Sequence, residues 1–225
     1  MNSENEKEFS DIAYQKFNSG MYKEAIEMCE KSIEADSKNS YPLFLSGCCE
    51  YALKNYSSGI SFISKALELE KKSNYYSERA KCKYEIEDYE SAIDDCDRSI
   101  EINSKNSYFY FLRAECKYEL KKYEDALLDI EHSINLNPNN YETFYLRSFI
   151  KGDLGDIEGE IEDLDKVISL NPSDFEFFKW RGILKMILKK NLSAIEDFDQ
   201  ALRLNPKDLE SSIAKFHCSE SHKVN

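Results

Sequence analysis

The sequence predicts an all-α protein, a stack of repeated helical hairpins, and three observations carry that prediction. Apolar residues recur at helical spacing through nearly the whole chain. One short pattern returns along it at a near-constant separation. Only 7 glycines and 4 prolines interrupt 225 residues, which favours long helices and short connections.

The pattern opens as "YKEAIEMCEKSIEAD" at Tyr22 and returns from Tyr56, Tyr89, Tyr123, Ile157 and Asn191. Each step is about 34 residues, a length that suits a two-helix unit. The step from Tyr56 to Tyr89 is shorter than the others by one. Six units follow: 6–39, 40–72, 73–106, 107–140, 141–174 and 175–208. Within each, two apolar-periodic runs are parted by a short break: "NSGM", "LKNY", "IEDY", "LKKY", "LGDI" and "LKKN" in chain order. The first run is helix A of a hairpin and the second is helix B. Helix B closes in "SKN", "NPN", "NPS" or "NPK" in five units, turn sequences that often carry a proline unable to continue a helix. Residues 1–5 are expected to be disordered. Residues 209–217 read as a short capping helix with Leu209, Ile213 and Phe216 on its apolar face and Glu210, Ser211, Ser212 and Lys215 on the other. Residues 218–225 read as a frayed tail.

The fourth unit sets Tyr110, Ala114, Tyr123, Ala126, Ile130, Ser133 and Pro138 in order, and the sixth sets Phe178, Gly182, Ala194, Phe198, Ala201 and Pro206. This spacing resembles the tetratricopeptide repeat (TPR) over residues 6–208. The resemblance implies a right-handed α-solenoid of six TPR helix–turn–helix repeats with a C-terminal capping helix. The small residues Ala13, Gly47, Ala80, Ala114, Ser148 and Gly182 are where helices A and B meet most closely. The departures are local: Glu160 for the helix-B alanine, Asn191 for the turn aromatic, and Ser37, Lys71 and Ser104 for proline. A carboxylate at Glu160, a close-packed position, must reach water or a partner.

One covariation lies inside the chain. Units three to six carry Arg79, Arg113, Arg147 and Arg181 just before the small residue of helix A, where units one and two have Ile12 and Ser46. The same four units carry Asp95, Asp129, Asp163 and Asp197 in helix B, where units one and two have Met28 and Phe62. A half-buried guanidinium needs an anion, and a carboxylate meets it with two parallel bonds. A structural Arg–Asp ladder is therefore expected, within a repeat or across to the next. Lys83, Lys117, Lys151 and Lys185 follow each arginine by four positions and call for acids in helix B.

With 30 basic and 43 acidic residues the formal charge is −13, which argues against nucleic acid and anionic membranes as partners. The opening "MNSENEKEFS" is no signal peptide, and a cytoplasmic location is expected. The 7 cysteines show no CxxC pair and fit reduced thiols. Cys49, Cys82 and Cys116 share one helix-A place, and Cys29 and Cys96 share a helix-B core place held elsewhere by Phe62, Ile130, Leu164 and Phe198. Such cysteines read as small apolar core residues. His132, His217 and His222 are scattered, and no phosphate loop, nucleophile elbow or metalloprotease motif occurs. No enzyme, metal or cofactor is expected.

The resemblance implies that ligands touch the inner face of the A helices. In this sequence those places hold Tyr14, Phe17, Phe44, Tyr51, Tyr84, Tyr108, Phe111, Tyr118, Tyr145, Phe149 and Trp180, with Glu115 and Glu119 among the bordering acids. An aromatic groove with an acidic border suits a peptide or protein segment with apolar anchors and some Lys or Arg. Family members that grip a C-terminal carboxylate, as on Hsp70 or Hsp90, use Lys, Asn and Arg where this chain has Ser10, Tyr14, Leu45, Asn74 and Glu78, so that ligand is not expected. The implied function is a non-enzymatic scaffold or adaptor. The alternative is a structural protein that self-assembles through its ends or outer faces, which leaves a homo-oligomer open.

Overall fold

The computed structural model describes residues 3–223, and these form helices without any strand among them. In chain order they are α1 (Ser3–Asn18), α2 (Tyr22–Ala35), α3 (Ser40–Ala52), α4 (Tyr56–Leu69), α5 (Ser73–Glu85), α6 (Tyr89–Ile102), α7 (Ser107–Glu119), α8 (Tyr123–Leu136), α9 (Tyr141–Asp153), α10 (Ile157–Leu170), α11 (Phe175–Ile187), α12 (Asn191–Leu204) and α13 (Leu209–Lys223). The protein is an all-α helical repeat. It divides into two compact units, Met1–Asp129 and Ile130–Asn225.

The ends depart from expectation. Helix α1 starts at Ser3, so Ser3–Asn5 are helical rather than disordered, and residues 1–2 lie outside the described residues. Helix α13 runs past residue 217 to Lys223, through most of the segment expected to fray, and residues 224–225 lie outside the described residues.

Each connection has a local cause. Every turn from helix A to helix B places one residue in the left-handed region: Gly20, Lys54, Glu87, Lys121, Gly155 and Lys189, with φ between 57° and 81°. Glycine occupies this place without cost in two hairpins, while lysine or glutamate elsewhere gives up about 1 kcal/mol to the turn. Helices α3, α7, α9 and α11 begin at Asn39, Asn106, Asn140 and Asp174, whose side chains accept the amides of Tyr41, Tyr108, Glu142 and Glu176. Asn39 and Asn106 are the last residues of the "SKN" stops, and Asn140 and Asp174 directly follow "NPN" and "NPS", so one short connection ends helix B and starts the next helix A.

In the first unit the core is a chain of small clusters, each shared by neighbouring hairpins: Ala13, Cys29 and Leu45, then Ile63, Ala66, Leu67, Tyr75 and Cys82, then Ala80, Ala92, Cys96, Leu112 and Cys116. In the second unit Phe144, Val167 and Phe177 form one cluster and Ala194, Phe198 and Cys218 another. Burial raises the Cys29 thiol to about 11, and it packs as an apolar group. One core assignment shifts by a residue. Ile63, not Phe62, fills the core place of α4; Ile63 is buried and Phe62 is half-buried beside Lys65. The short step of the repeat loses its residue in the connection Glu70–Lys72, after the helix, so Ile63 of α4 keeps the full repeat offset from Cys29 of α2.

The largest departure is α13. Leu209, Ile213 and Phe216 do not pack on the preceding hairpin; they are 75%, 58% and 62% exposed. Ser211 and Cys218 are buried instead. The reason is register: Lys215 stands one full repeat after Arg181, so α13 repeats α11 as a seventh helix A, and the face that continues the stack is the one repeated in α11 as Phe177 and Leu184.

Candidate functional site

The residues singled out in the sequence fall into two sets. The first is ionic. Arg79 donates from Nε and Nη2 to Asp95 at 2.8 and 2.6 Å. Arg113 meets Asp129, Arg147 meets Asp163 and Arg181 meets Asp197 through the same two nitrogens. These pairs all lie within a hairpin. Each aspartate also takes the following lysine, at 2.8 Å for Lys83, 2.7 Å for Lys117, 2.8 Å for Lys151 and 2.7 Å for Lys185. The aspartate side chains are only 3–4% exposed.

The third guanidinium nitrogen reaches the preceding hairpin, a connection not read in the sequence. Nη1 of Arg113 donates to Asp97, that of Arg147 to Glu131 at 2.6 Å, and that of Arg181 to Asp165 at 2.6 Å. Lys215 of α13 continues the series onto Asp199. Arg79, first in the series, finds only Ser64 there, at 2.9 Å. Where the acid is present a rung balances two cations with two carboxylates and ties three helices together. The ladder is therefore within and between repeats at once. Its acids on the preceding hairpin recur once per repeat, at Asp97, Glu131, Asp165 and Asp199, and that recurrence was the signal to read.

The second set is the helix-A face. In the first unit Phe17, Tyr51, Tyr84 and Tyr118 each meet the first aromatic of their own helix B, at ring distances of 5.7, 5.6, 5.4 and 5.9 Å. The Tyr51 hydroxyl donates to Glu85 at 3.1 Å and that of Tyr84 to Glu119 at 3.2 Å, so each links to the next helix A. Burial, with the neighbouring glutamates, holds both phenols above their ordinary values and protonated. Phe44 stacks on Tyr75 at 4.3 Å and Tyr108 leans on Phe111. Phe111 is buried, and its ring contributes to packing rather than to an open surface. Tyr14 is half exposed, Glu115 is half-buried and Glu119 is exposed. In the second unit Tyr145 packs between Phe149 and Phe177, at 4.6 and 5.0 Å. Within each unit most of the aromatics chosen from sequence thus pack on one another, and Tyr14 and Trp180 are the ones that stand exposed.

Glu160 breaks the pattern. It stands on α10 where other hairpins carry alanine or glycine, and it is 4% exposed. Its Oε1 accepts the indole N–H of Trp180 at 2.8 Å. Its Oε2 lies 2.6 Å from where a Cβ on Gly152 would be, so the missing side chain at Gly152 is what admits the carboxylate. Burial pushes the Glu160 carboxyl above its ordinary value, partly opposed by the indole bond.

Among the described residues no group of His, Cys, Asp and Glu is placed to hold a metal ion, and no helix is long and apolar enough to cross a membrane.

A stack of two-helix hairpins, joined by small residues at the A–B contact, defines a helical-repeat protein. A tetratricopeptide-repeat model matches residues 107–140 and 141–174, and the model for subunit 3 of the anaphase-promoting complex (cyclosome) matches residues 18–99. The chain belongs to the tetratricopeptide-repeat proteins. A TPR repeat-containing protein of Methanocaldococcus jannaschii is 25% identical over 106 residues, 44% of this chain and 19% of that relative, so the chain matches about a fifth of its length. Among solved structures, the type IV pilus biogenesis factor PilW aligns over 95% of this chain and 99% of its own at 13% identity, with a TM-score of 0.83. Pseudomonas aeruginosa pilF aligns over 95% and 98% at 15% identity, TM-score 0.80. YrrB, a TPR protein with an unusual peptide-binding site, aligns over 83% and 97% at 19% identity, TM-score 0.65. At these identities the likeness is one of fold.

Proposed function

We propose that this protein is a non-enzymatic interaction module whose helix-A faces hold a peptide or protein segment. The observation that carries this reading is the Tyr51–Glu85 and Tyr84–Glu119 relay. It fixes half-buried phenol rings and carboxylates in one orientation before any ligand arrives, which lowers the ordering cost of binding. A solved protein of the same fold carries a peptide-binding site, which supports the reading. The chain's charge of −13 favours a segment with basic side chains between its apolar anchors.

The test is selection of peptides from a random displayed library, followed by affinity measurement. Tyr84→Ala is expected to weaken the selected peptides about tenfold or more, the cost of removing a central aromatic anchor. Leu128→Ala, at an exposed helix-B position, is expected to leave them unchanged. Loss of affinity on Leu128→Ala with none on Tyr84→Ala would place binding on the other face and overturn the reading.

A second reading, self-association through the C-terminal end, has its own observation. Leu209, Ile213 and Phe216 form an exposed apolar stripe on α13, whereas Glu8, Asp11 and Gln15 are exposed or half-exposed on α1. An apolar end cannot cover an acidic one, so a second copy would pair α13 against α13, an isologous contact that stops at two chains. Light scattering is expected to give twice the 26.3 kDa chain mass at high concentration, and the single-chain mass for Phe216→Ser. A native chain that stays monomeric at every concentration would remove this reading.

A further inference from the structure

We infer that Gly152, Glu160 and Trp180 form a receptor for one primary ammonium group, the side chain of a lysine in the bound segment; the inference deepens the helix-A-face reading and rests on it. In four hairpins of the first unit the position of Gly152 carries Phe17, Tyr51, Tyr84 or Tyr118, each set against an aromatic on helix B. In the fifth hairpin both rings are gone: Gly152 and Ile157 stand there. The place is taken by a carboxylate from below, Glu160, and an indole from the next hairpin, Trp180.

Among the described residues no cation is paired with this carboxylate. Lys151 is held by Asp163 and the Gly159 carbonyl, and Lys185 by Asp197. Arg147 and Arg181 are engaged with their own carboxylates, and Lys179 with Glu176 and Glu210. Glu160 therefore keeps one hydrogen bond, from a neutral donor, while its Oε2 faces the bare Gly152. A buried carboxylate so placed is strongly favoured by an incoming positive charge.

The geometry also selects the kind of cation. The indole already holds Oε1, so Oε2 is the freer oxygen. Glu160 is 4% exposed, so the opening onto it is narrow; an ammonium is a compact point charge suited to it, whereas a guanidinium brings a broad planar fork. Trp180 is 37% exposed, and its ring offers a face to the methylenes and charge of a lysine. Asp153, exposed at the end of α9, adds a second negative charge nearby.

Trp180 is the chain's only tryptophan, so its indole N–H gives a single resonance that reports on this site alone. The experiment is an NMR titration of the full chain at low salt with three blocked tripeptides, Gly-Lys-Gly, Gly-Arg-Gly and Gly-norleucine-Gly. The lysine peptide is expected to move the indole resonance saturably. Glu160→Gln, which keeps an acceptor for the indole, is expected to weaken that response about tenfold, and Gly152→Ala to weaken it by obstructing Oε2. Equal responses to the lysine and norleucine peptides, or a response undiminished in Glu160→Gln, would overturn the inference. A stronger response to the arginine peptide would overturn the choice of ammonium. If the displayed peptides instead fail to depend on Tyr84 while this titration saturates, it is the wider helix-A-face reading that fails.

Discussion

Asp129→Ala is expected to destabilise the protein by about 3–5 kcal/mol, the cost of leaving buried cations without their carboxylate. Asp129 receives Arg113 from two nitrogens and Lys117 at 2.7 Å, and its side chain is 3% exposed. After truncation Arg113 retains Asp97, but Lys117, 18% exposed, has lost its carboxylate partner. For a chain of this length the thermal midpoint should fall on the order of 10 °C. Glu131→Ala removes an acid from the same ladder but one whose side chain is 56% exposed, and it should cost less than about 1 kcal/mol. Circular dichroism melts of the two variants decide the point. Equal shifts would mean that the buried aspartate carries no more than the exposed glutamate.

Removing a partner and removing the whole rung ask different questions. Replacing Arg113, Lys117 and Asp129 together by methionine or leucine leaves no buried charge stranded, since Asp97, the acid left over, is 46% exposed, and a well-packed apolar set of this size is often as stable as the ions it replaces. Recovery in that triple variant would give the rung a role in specificity: it fixes which hairpin stacks on which. The disposition of the atoms supports that role. Each arginine after Arg79 uses two nitrogens for its own hairpin and the third for the one before.

The repeat and its helices were legible because they depend on period alone, and a period held through six units survives wide substitution. The pairing of Arg with Asp was legible because both residue types appear and vanish in the same units. The second partner of each arginine was not, since the offset between stacked hairpins is set by tertiary packing and leaves no trace in helical spacing. The inverted reading of α13 has the same origin. Spacing shows that Leu209, Ile213 and Phe216 share a face, but only the alignment of Lys215 with Arg181 tells which face joins the stack. The aromatic face was legible in composition and not in depth: Phe111 is buried and Tyr14 half exposed, though both were read as groove residues.

Gly47→Ala carries the other large effect, and its sign runs against helix propensity. In an exposed helix interior this change would gain about 1 kcal/mol. Here the new Cβ would lie 2.3 Å from Ile63 Cγ1 and 3.1 Å from the Gly59 carbonyl oxygen, so the hairpin must open. The expected cost is about 1–3 kcal/mol, read from urea denaturation midpoints. The chain shows how to offset it. Two of the three helix-A alanines meet a cysteine in helix B, Ala13 with Cys29 and Ala80 with Cys96, and the glycines meet Ile63 and Phe198; the third alanine, Ala114, has Ile130 at the same offset in the sequence. In the first and third hairpins the two positions share one volume, and a cysteine fits there beside alanine. Ile63→Cys alone should cost about 1–3 kcal/mol through the space it leaves. Gly47→Ala with Ile63→Cys rebuilds the pair of the first hairpin and should fall short of the summed losses by about 1 kcal/mol or more. Strict additivity would show that the two sites do not share a volume, and the abundance of cysteine in this core would then need a cause other than fit.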